Sequence, residues 1–319
     1  MNDNANIPPE FERKIIRELS LGSLQEKTRS RRWGIFFKLW ALGLATALVL
    51  MFTGFFDKAG SATHGTSQHT AVVEISGVID SDGAASAESI NGALQAAFKD
   101  SSTAAVLLKI NSPGGSPVQA GMIYDEILRL RKLHPKKPIY AVIEEICASG
   151  GYYVAAATDK IFVDKASLVG SIGVLMDGFG FTGLMEKLGV ERRLLTAGEN
   201  KGFLDPFSPQ NETQRKFVQT MLAEIHQQFI DAVKNGRGQR LKESPDMFTG
   251  LIWSGVKSIE LGLADAQGTM DSVARDVVKV ENMVDFTPRE NIIDRFSRRI
   301  GTSAGDTVVR SLRSGTSLR

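Results

Sequence analysis

The sequence predicts an α/β domain built on a mostly parallel sheet, preceded by one N-terminal transmembrane helix. Two observations carry the α/β part. Apolar runs short enough for buried strands alternate with longer stretches of helical spacing from Ala71 onward, the pattern of strand–helix–strand crossovers, which are right-handed in such sheets. Glycine-bearing turns also follow several of those runs. A third observation, an 18-residue run without charge from Leu39 to Phe56, predicts the membrane helix.

Taken in order, Ala71–Ile79 reads as a strand closed by a turn at Asp80–Gly83, and Ser86–Phe98 as a helix. Ala104–Asn111 is an apolar run suited to a strand covered on both faces. Pro117–Leu133 has helical spacing, with Met122, Ile123, Ile127 and Leu130 on one stripe. Pro138–Ile143 is a strand, Gly150–Ala157 opens a helix, and Lys160–Val163 is a strand. A short strand is expected at Arg193–Leu195, a long polar-faced helix at Pro209–Lys234, and a helix–turn pattern from Gly255 to Leu263.

The expected division is a cytoplasmic segment 1–32, a transmembrane helix 33–57, a polar linker 58–70, a domain 71–288 and a basic tail 289–319. Within 1–32, Phe11–Leu19 has helical patterning, and the tail carries seven Arg against three acids. The apolar run nearly spans a hydrocarbon core of about 30 Å. Lys38 can snorkel, and Trp33 and Trp40 suit the headgroup level. Lys27, Arg29, Arg31, Arg32 and Lys38 flank the N-terminal side, against Asp57 and Lys58 on the other. That asymmetry keeps the N-terminus in the cytoplasm and places the domain outside. A cleavable signal peptide has a shorter apolar core and a shorter leader.

Composition excludes several classes. One cysteine rules out an intrachain disulfide framework and multi-cysteine metal sites. Four histidines, none in an H-x-x-x-H or H-E-x-x-H pattern, argue against a histidine metal centre; His64 and His69 lie in a linker, which preorganises nothing. A formal charge of +2 gives no electrostatic case for a nucleic-acid partner.

Three turns carry the chemistry. Asn111–Ser116 (NSPGGS) joins a strand to a helix; it serves either as an oxyanion hole or as a tight turn, and both readings stay open. Cys147–Tyr153 (CASGGYY) presents Ser149 at a helix start, where a serine is commonly an N-cap. Two following glycines are costly in a helix and make more sense where something approaches the backbone. Gly170–Gly173 (GSIG) is uninformative by itself. A serine nucleophile needs a base. His134 and His226 lack an evident acidic orienter, and Lys201, in the loop GENKG, is ordinarily a solvated charge. A lysine serves as a base when burial favours its neutral form.

NSPGG, ASGGYY, VGSIGV and a lysine 52 residues after the ASGG serine occur in this order. Together with NGRG at 235–238 and GLADAQG at 262–268, they resemble the signal peptide peptidase (protease IV) family in its short, single-domain form, over roughly residues 70–285. The resemblance implies a Clp-protease/crotonase-like fold and a Ser–Lys dyad. It makes Ser149 the nucleophile, Lys201 the general base and Ser171 the residue that orients the lysine. Gly150 and one of Gly114 or Gly115 become the oxyanion donors. It implies no cofactor and no metal. Its substrates are remnant signal peptides and other apolar peptides at the outer face of the cytoplasmic membrane. It also implies a homo-oligomeric ring or dome with active sites at subunit interfaces, and activity that rises with pH as the base loses its proton.

Other candidates weigh less. Gly301–Gly305 matches G-x-S-x-G but follows no strand, and Ser254–Lys257 matches S-x-x-K without the companion motifs and better caps a helix. Cys147 ends an apolar strand, as a small buried side chain does. Asp164 and Asp177 suit solvated loops. Two other classes compete with a peptidase. One is a catalytically silent membrane scaffold that binds peptides or partner proteins. The other is an acyl-CoA enzyme of the crotonase type, which an extracytoplasmic location disfavours.

Overall fold

A computed structural model describes Trp33, residues 35–46 and residues 67–288. Residues 35–46 are helical with exposed side chains. Among the described residues no helix is long and apolar enough to cross a membrane. Segment 1–32 with its helix at Phe11–Leu19, residues 47–57 of the expected span, linker residues 58–66 and the tail 289–319 lie outside the described residues.

From His69 the chain forms an eight-stranded sheet with α-helices between strands. Strands β1 (His69–Ile79), β2 (Thr103–Gly115) and β3 (Ile139–Ala148) lie side by side and parallel. They are joined by α1 (Ala87–Lys99) and α2 (Pro117–Leu133). The far edge of β3 is shared. Its first half pairs with β4 (Lys160–Val163), which pairs with β7 (Ala266–Gln267). Its last residues pair with β5 (Leu168–Gly170), which meets β6 (Ile252–Ser254), the sheet's antiparallel member. β8 (Met283–Asp285) closes the other edge against β1. The forked edge splays the C-terminal end of β3 away from β4 and opens a cleft there.

Local chemistry sets the helix starts. Ser86 caps α1 through the Ser89 N–H, and Ser116 caps α2 through the Gln119 N–H ahead of Pro117 at the first turn. One face of the sheet buries Val73, Ile75, Leu108 and Ile110 against Ile90, Leu94 and Phe98 of α1 and Ile123, Ile127 and Leu130 of α2. Each such side chain contributes about 1.5–3 kcal/mol by leaving water. A smaller cluster, Leu107, Val142, Phe162, Val273 and Ala274, covers part of the other face.

The chain departs from the sequence expectations in four places. β1 begins at His69, inside the expected linker; the imidazole is buried, with Nε2 3.1 Å from the Thr103 hydroxyl. β2 stays extended through the whole NSPGG stretch, so this is strand and not turn. Met122 does not share the stripe of Ile123 and Ile127 and is 50% exposed. Arg193–Leu195 is irregular, because no neighbouring strand among the described residues reaches it.

Candidate active site

Ser149 stands where β3 turns into α3 (Gly150–Ala156). Its backbone has φ +51° and ψ −125°, a sparsely populated region for a residue with a Cβ. It occupies the N-cap position, yet its side chain makes no capping hydrogen bond. Ser86, Ser116 and Ser254 all cap their helices, so capping does not account for Ser149. The turn is held from below: the Ser149 N–H donates to the Gly170 carbonyl at 2.9 Å, and the Ser149 carbonyl accepts from the Tyr153 N–H at 2.9 Å.

The end of β2 lies directly against this turn. A Cβ added at Gly114 would fall 2.6 Å from the Gly150 nitrogen and 2.7 Å from the Ser149 Cβ. A Cβ added at Gly150 would fall 3.3 Å from the Gly115 nitrogen. Gly114 is therefore required by contact with the serine turn as well as by its φ of +100°, whereas Gly115, at φ +149°, is required by β1, where an added Cβ would strike the Ile79 carbonyl.

The Gly114 N–H donates to the Ser112 hydroxyl at 3.1 Å. The Ser116 N–H donates to Ile79 of β1 at 2.8 Å. The Gly115 nitrogen lies beside the serine turn, 3.3 Å from where a Cβ on Gly150 would sit.

Ser171 follows β5, which pairs with the end of β3 (Ala148 opposite Gly170). It too has a positive φ, +51°, and its N–H donates to the Leu251 carbonyl at 2.8 Å. Ser149, Gly150, Gly115 and Ser171 all line one cleft of about 570 Å³. Its walls are largely apolar: Pro117, Ala120, Val174, Leu175 and Phe229 among them. Ile225, Gln228 and Phe229 come from one face of α5 (Glu212–Arg237), and Tyr153 packs on Phe229 with ring centroids 5.0 Å apart. The spacing of those α5 residues marks a helix face, but nothing in the sequence says that this face borders the serine.

Lys201 is not among the residues that line this cleft. It is exposed, in a turn where its N–H donates to the Gly198 carbonyl at 3.1 Å, and among the described residues its ammonium has no ion-pair partner. The turn belongs to an arm, residues 174–210, with one short helix, α4 (Thr182–Leu188). The arm folds back on itself: the Phe181 N–H donates to Pro206, Phe181 stacks on Phe207, and Arg192 pairs with Asp205 at 3.0 Å. It leaves Leu175 (80%), Phe179 (79%), Leu188 (67%) and Leu195 (95%) in solvent.

The competing residues fall into structural roles. Cys147 is fully buried, and burial pushes its thiol well above the usual range, leaving no thiolate to attack. Ser254 caps α6 (Gly255–Glu260) through the Lys257 N–H, while Lys257 pairs with Glu260. His226 binds the Ile172 carbonyl at 3.1 Å through Nε2. Asp164 accepts from the Ala166 N–H in a turn, and Asp177 is exposed. The G-x-S-x-G match at 301–305 lies outside the described residues. Among the described residues, no cluster of three or more His, Cys, Asp or Glu side chains could hold a metal ion.

The NGRG and GLADAQG stretches form a clasp behind α3. Arg237, 1% exposed, donates to the Gly262 carbonyl at 2.8 Å and pairs with Asp265 at 2.8 Å. The other Asp265 partners are Arg240 at 3.3 Å and the Ile161 N–H at 2.7 Å. Gly236 has no room for a Cβ, which would strike the Ala156 carbonyl of α3.

A serine on a strained strand–helix turn, beside backbone N–H groups in an apolar cleft of an α/β sheet, is the arrangement that hydrolases with a serine nucleophile require. Comparison with known proteins agrees in kind. Residues 131–284, just under half of the chain, match the family model described as Peptidase family S49, and relatives named as proteases support the same family. It is 42% identical over 243 residues to a Brucella abortus protein named Na(+)/H(+) antiporter NhaA, a match covering 73% of this chain and 32% of that protein. A protein of Enterococcus faecium, provisionally named signal peptide peptidase SppA, is 32% identical over 189 residues, 59% of this chain and 54% of its own length. Protease 4 of Haemophilus influenzae is 28% identical over 251 residues, 77% of this chain and 40% of its own length. The chain thus spans between about a third and somewhat over half of these relatives.

Proposed function

We propose that this chain is a membrane-anchored serine endopeptidase of Clp-protease/crotonase-like fold. It cuts remnant signal peptides and other apolar peptides at the outer face of the cytoplasmic membrane. The observation that carries the reading is Ser149: a non-glycine residue held at φ +51°, not used as a cap, with Gly114, Gly115 and Gly150 packed around it. The cleft's apolar walls suit small and apolar side chains, and the names of the Enterococcus and Haemophilus relatives point the same way.

In this mechanism the Ser149 Oγ attacks the scissile carbonyl carbon while its proton passes to the Lys201 Nζ. The Gly115 and Gly150 N–H groups hold the oxyanion that forms; one such donor contributes about 3–4 kcal/mol to the transition state. The carbon–nitrogen bond breaks as Lys201 returns the proton to the leaving amine. Water then hydrolyses the acyl-enzyme by the same proton route. Ser171, in the same cleft, orients the lysine.

Lys201 lines no part of its own chain's cleft and rides on an arm with an unpartnered apolar surface. A second copy of the chain therefore brings its Lys201 to Ser149, as an interface-built site in a homo-oligomeric ring or dome requires. The apolar run at 39–56 anchors the assembly, holding the clefts where apolar peptides leave the bilayer.

The test is cleavage of an apolar, signal-peptide-like substrate by the full chain, Ser149→Ala and Lys201→Ala, with assembly checked for each. Both variants are expected to lose at least about 10³-fold in kcat, and a chelator is expected to change nothing. Undiminished cleavage in both variants would remove the dyad.

A further inference from the structure

Ser112 belongs to the NSPGG stretch but faces neither cleft nor solvent; it is fully buried. The register of β1 on β2 slips around it. Ser76 lies opposite Asn111, but Val78 lies opposite Gly114, so Gly77 alone faces both Ser112 and Pro113. This is a β-bulge, and Pro113, without an N–H, is a residue that a bulge tolerates. Bulges cost ladder hydrogen bonds, and here the Ser112 hydroxyl replaces them. It donates to the Gly77 carbonyl at 2.6 Å and accepts from the Gly114 N–H at 3.1 Å. On its other side, the Ser112 carbonyl and Cβ form the surface against which Gly151 packs; a Cβ added at Gly151 would lie 3.1 and 3.4 Å from them.

We infer that Ser112 is a positioning residue for the oxyanion hole. The inference rests on the reading of Ser149 as nucleophile. By tying the Gly114 N–H back to β1, the Ser112 hydroxyl fixes the peptide plane that follows, and so fixes the Gly115 N–H toward Gly150 and the serine. Gly114 is thereby excluded as the donor and Gly115 is selected. Without the hydroxyl, the Gly114 N–H and the Gly77 carbonyl lose their shared partner, and the strand end is free to rotate about the two glycines. Ser112 touches no substrate; it acts through the backbone of Gly114 and Gly115.

The experiment uses the full chain in detergent with a fluorogenic apolar peptide, a peptide aldehyde and the matching peptide alcohol. The aldehyde adds to a serine Oγ and places an oxygen in the hole; the alcohol fills the cleft without doing so. Ser112→Ala is expected to lower kcat about 10–100-fold with KM changed less than about twofold. It is expected to weaken the aldehyde by the same factor and to leave the alcohol unchanged. Ser112→Cys keeps a γ atom that is larger and hydrogen-bonds more poorly, and is expected to give a kcat between those of the parent and Ser112→Ala. Parent-like kcat in Ser112→Ala, or equal weakening of aldehyde and alcohol, would overturn the inference. Ser149→Ala runs alongside: if it cleaves like the parent, the peptidase reading falls and takes the inference with it. If it is inactive while Ser112→Ala matches the parent, the inference alone falls.

Discussion

The backbone of Ser149 stores strain that its environment must supply. A non-glycine residue at φ +51° and ψ −125° costs about 1–3 kcal/mol. Ser149→Gly is therefore expected to unfold at higher denaturant concentration, by about 1 kcal/mol after glycine's extra unfolded-state entropy is deducted, while cleavage is lost. Equilibrium urea unfolding of the pair, read beside the activity assay, checks both. At this scale the sequence was legible only in part. ASGG marked a turn that something approaches closely, but an N-cap and a nucleophile look alike until the side chain is seen to make no cap. That the Gly114 N–H is engaged by the Ser112 hydroxyl was hidden because it follows from strand register, a property of two strands and not of one.

At the scale of elements, periodicity found α2 and β4 to the residue and placed α1 closely. It failed where a neighbour decides: β2 runs on through NSPGG because β1 extends beside it, and Arg193–Leu195 has no such neighbour among the described residues. The NGRG and GLAD stretches carried family likeness without a role; the structure makes them the clasp that seats α5 behind α3. Burial by itself raises the Asp265 carboxyl, but the hydrogen bond and charge of Arg237, the Ile161 N–H and Arg240 outweigh it and hold the carboxyl below its usual range. Because the folded carboxyl binds its proton less readily than the unfolded one, this contribution is complete above the unfolded value of about 4. It is lost as pH falls through the lower folded value. Asp265→Asn is thus expected to be less stable near neutrality and to lose less stability between about pH 4 and pH 2 than the parent. Arg237→Met, which leaves a carboxylate short of its main partner, is expected to cost about 3 kcal/mol at pH 7. Urea midpoints across the pH range test both.

For the whole molecule, the proposed mechanism requires a second copy, because Lys201 does not line the cleft of its own chain. The arm that carries Lys201 exposes Leu175, Phe179, Leu188 and Leu195, apolar side chains that a second copy would cover in the proposed assembly. If two copies share each site, Ser149→Ala and Lys201→Ala chains, inactive separately, regain activity when mixed and reassembled. Random assembly pairs an intact serine with an intact lysine at about one site in four. A mixture as inactive as its parts would place both residues in one chain. No local pattern in the sequence could show such sharing, because a loop lysine that acts in a neighbour would look like any solvated lysine. The antiporter name of the Brucella relative belongs to a protein of which this chain matches only 32%, and it says nothing of this domain's chemistry. The most direct measurement of the central claim is covalent: treat the assembled full chain with a fluorophosphonate and locate the adduct by mass spectrometry. One adduct is expected, on Ser149, absent from Ser149→Ala and formed much more slowly in Lys201→Ala. An adduct on another residue, or none on Ser149 in a preparation that cleaves peptide, would contradict it.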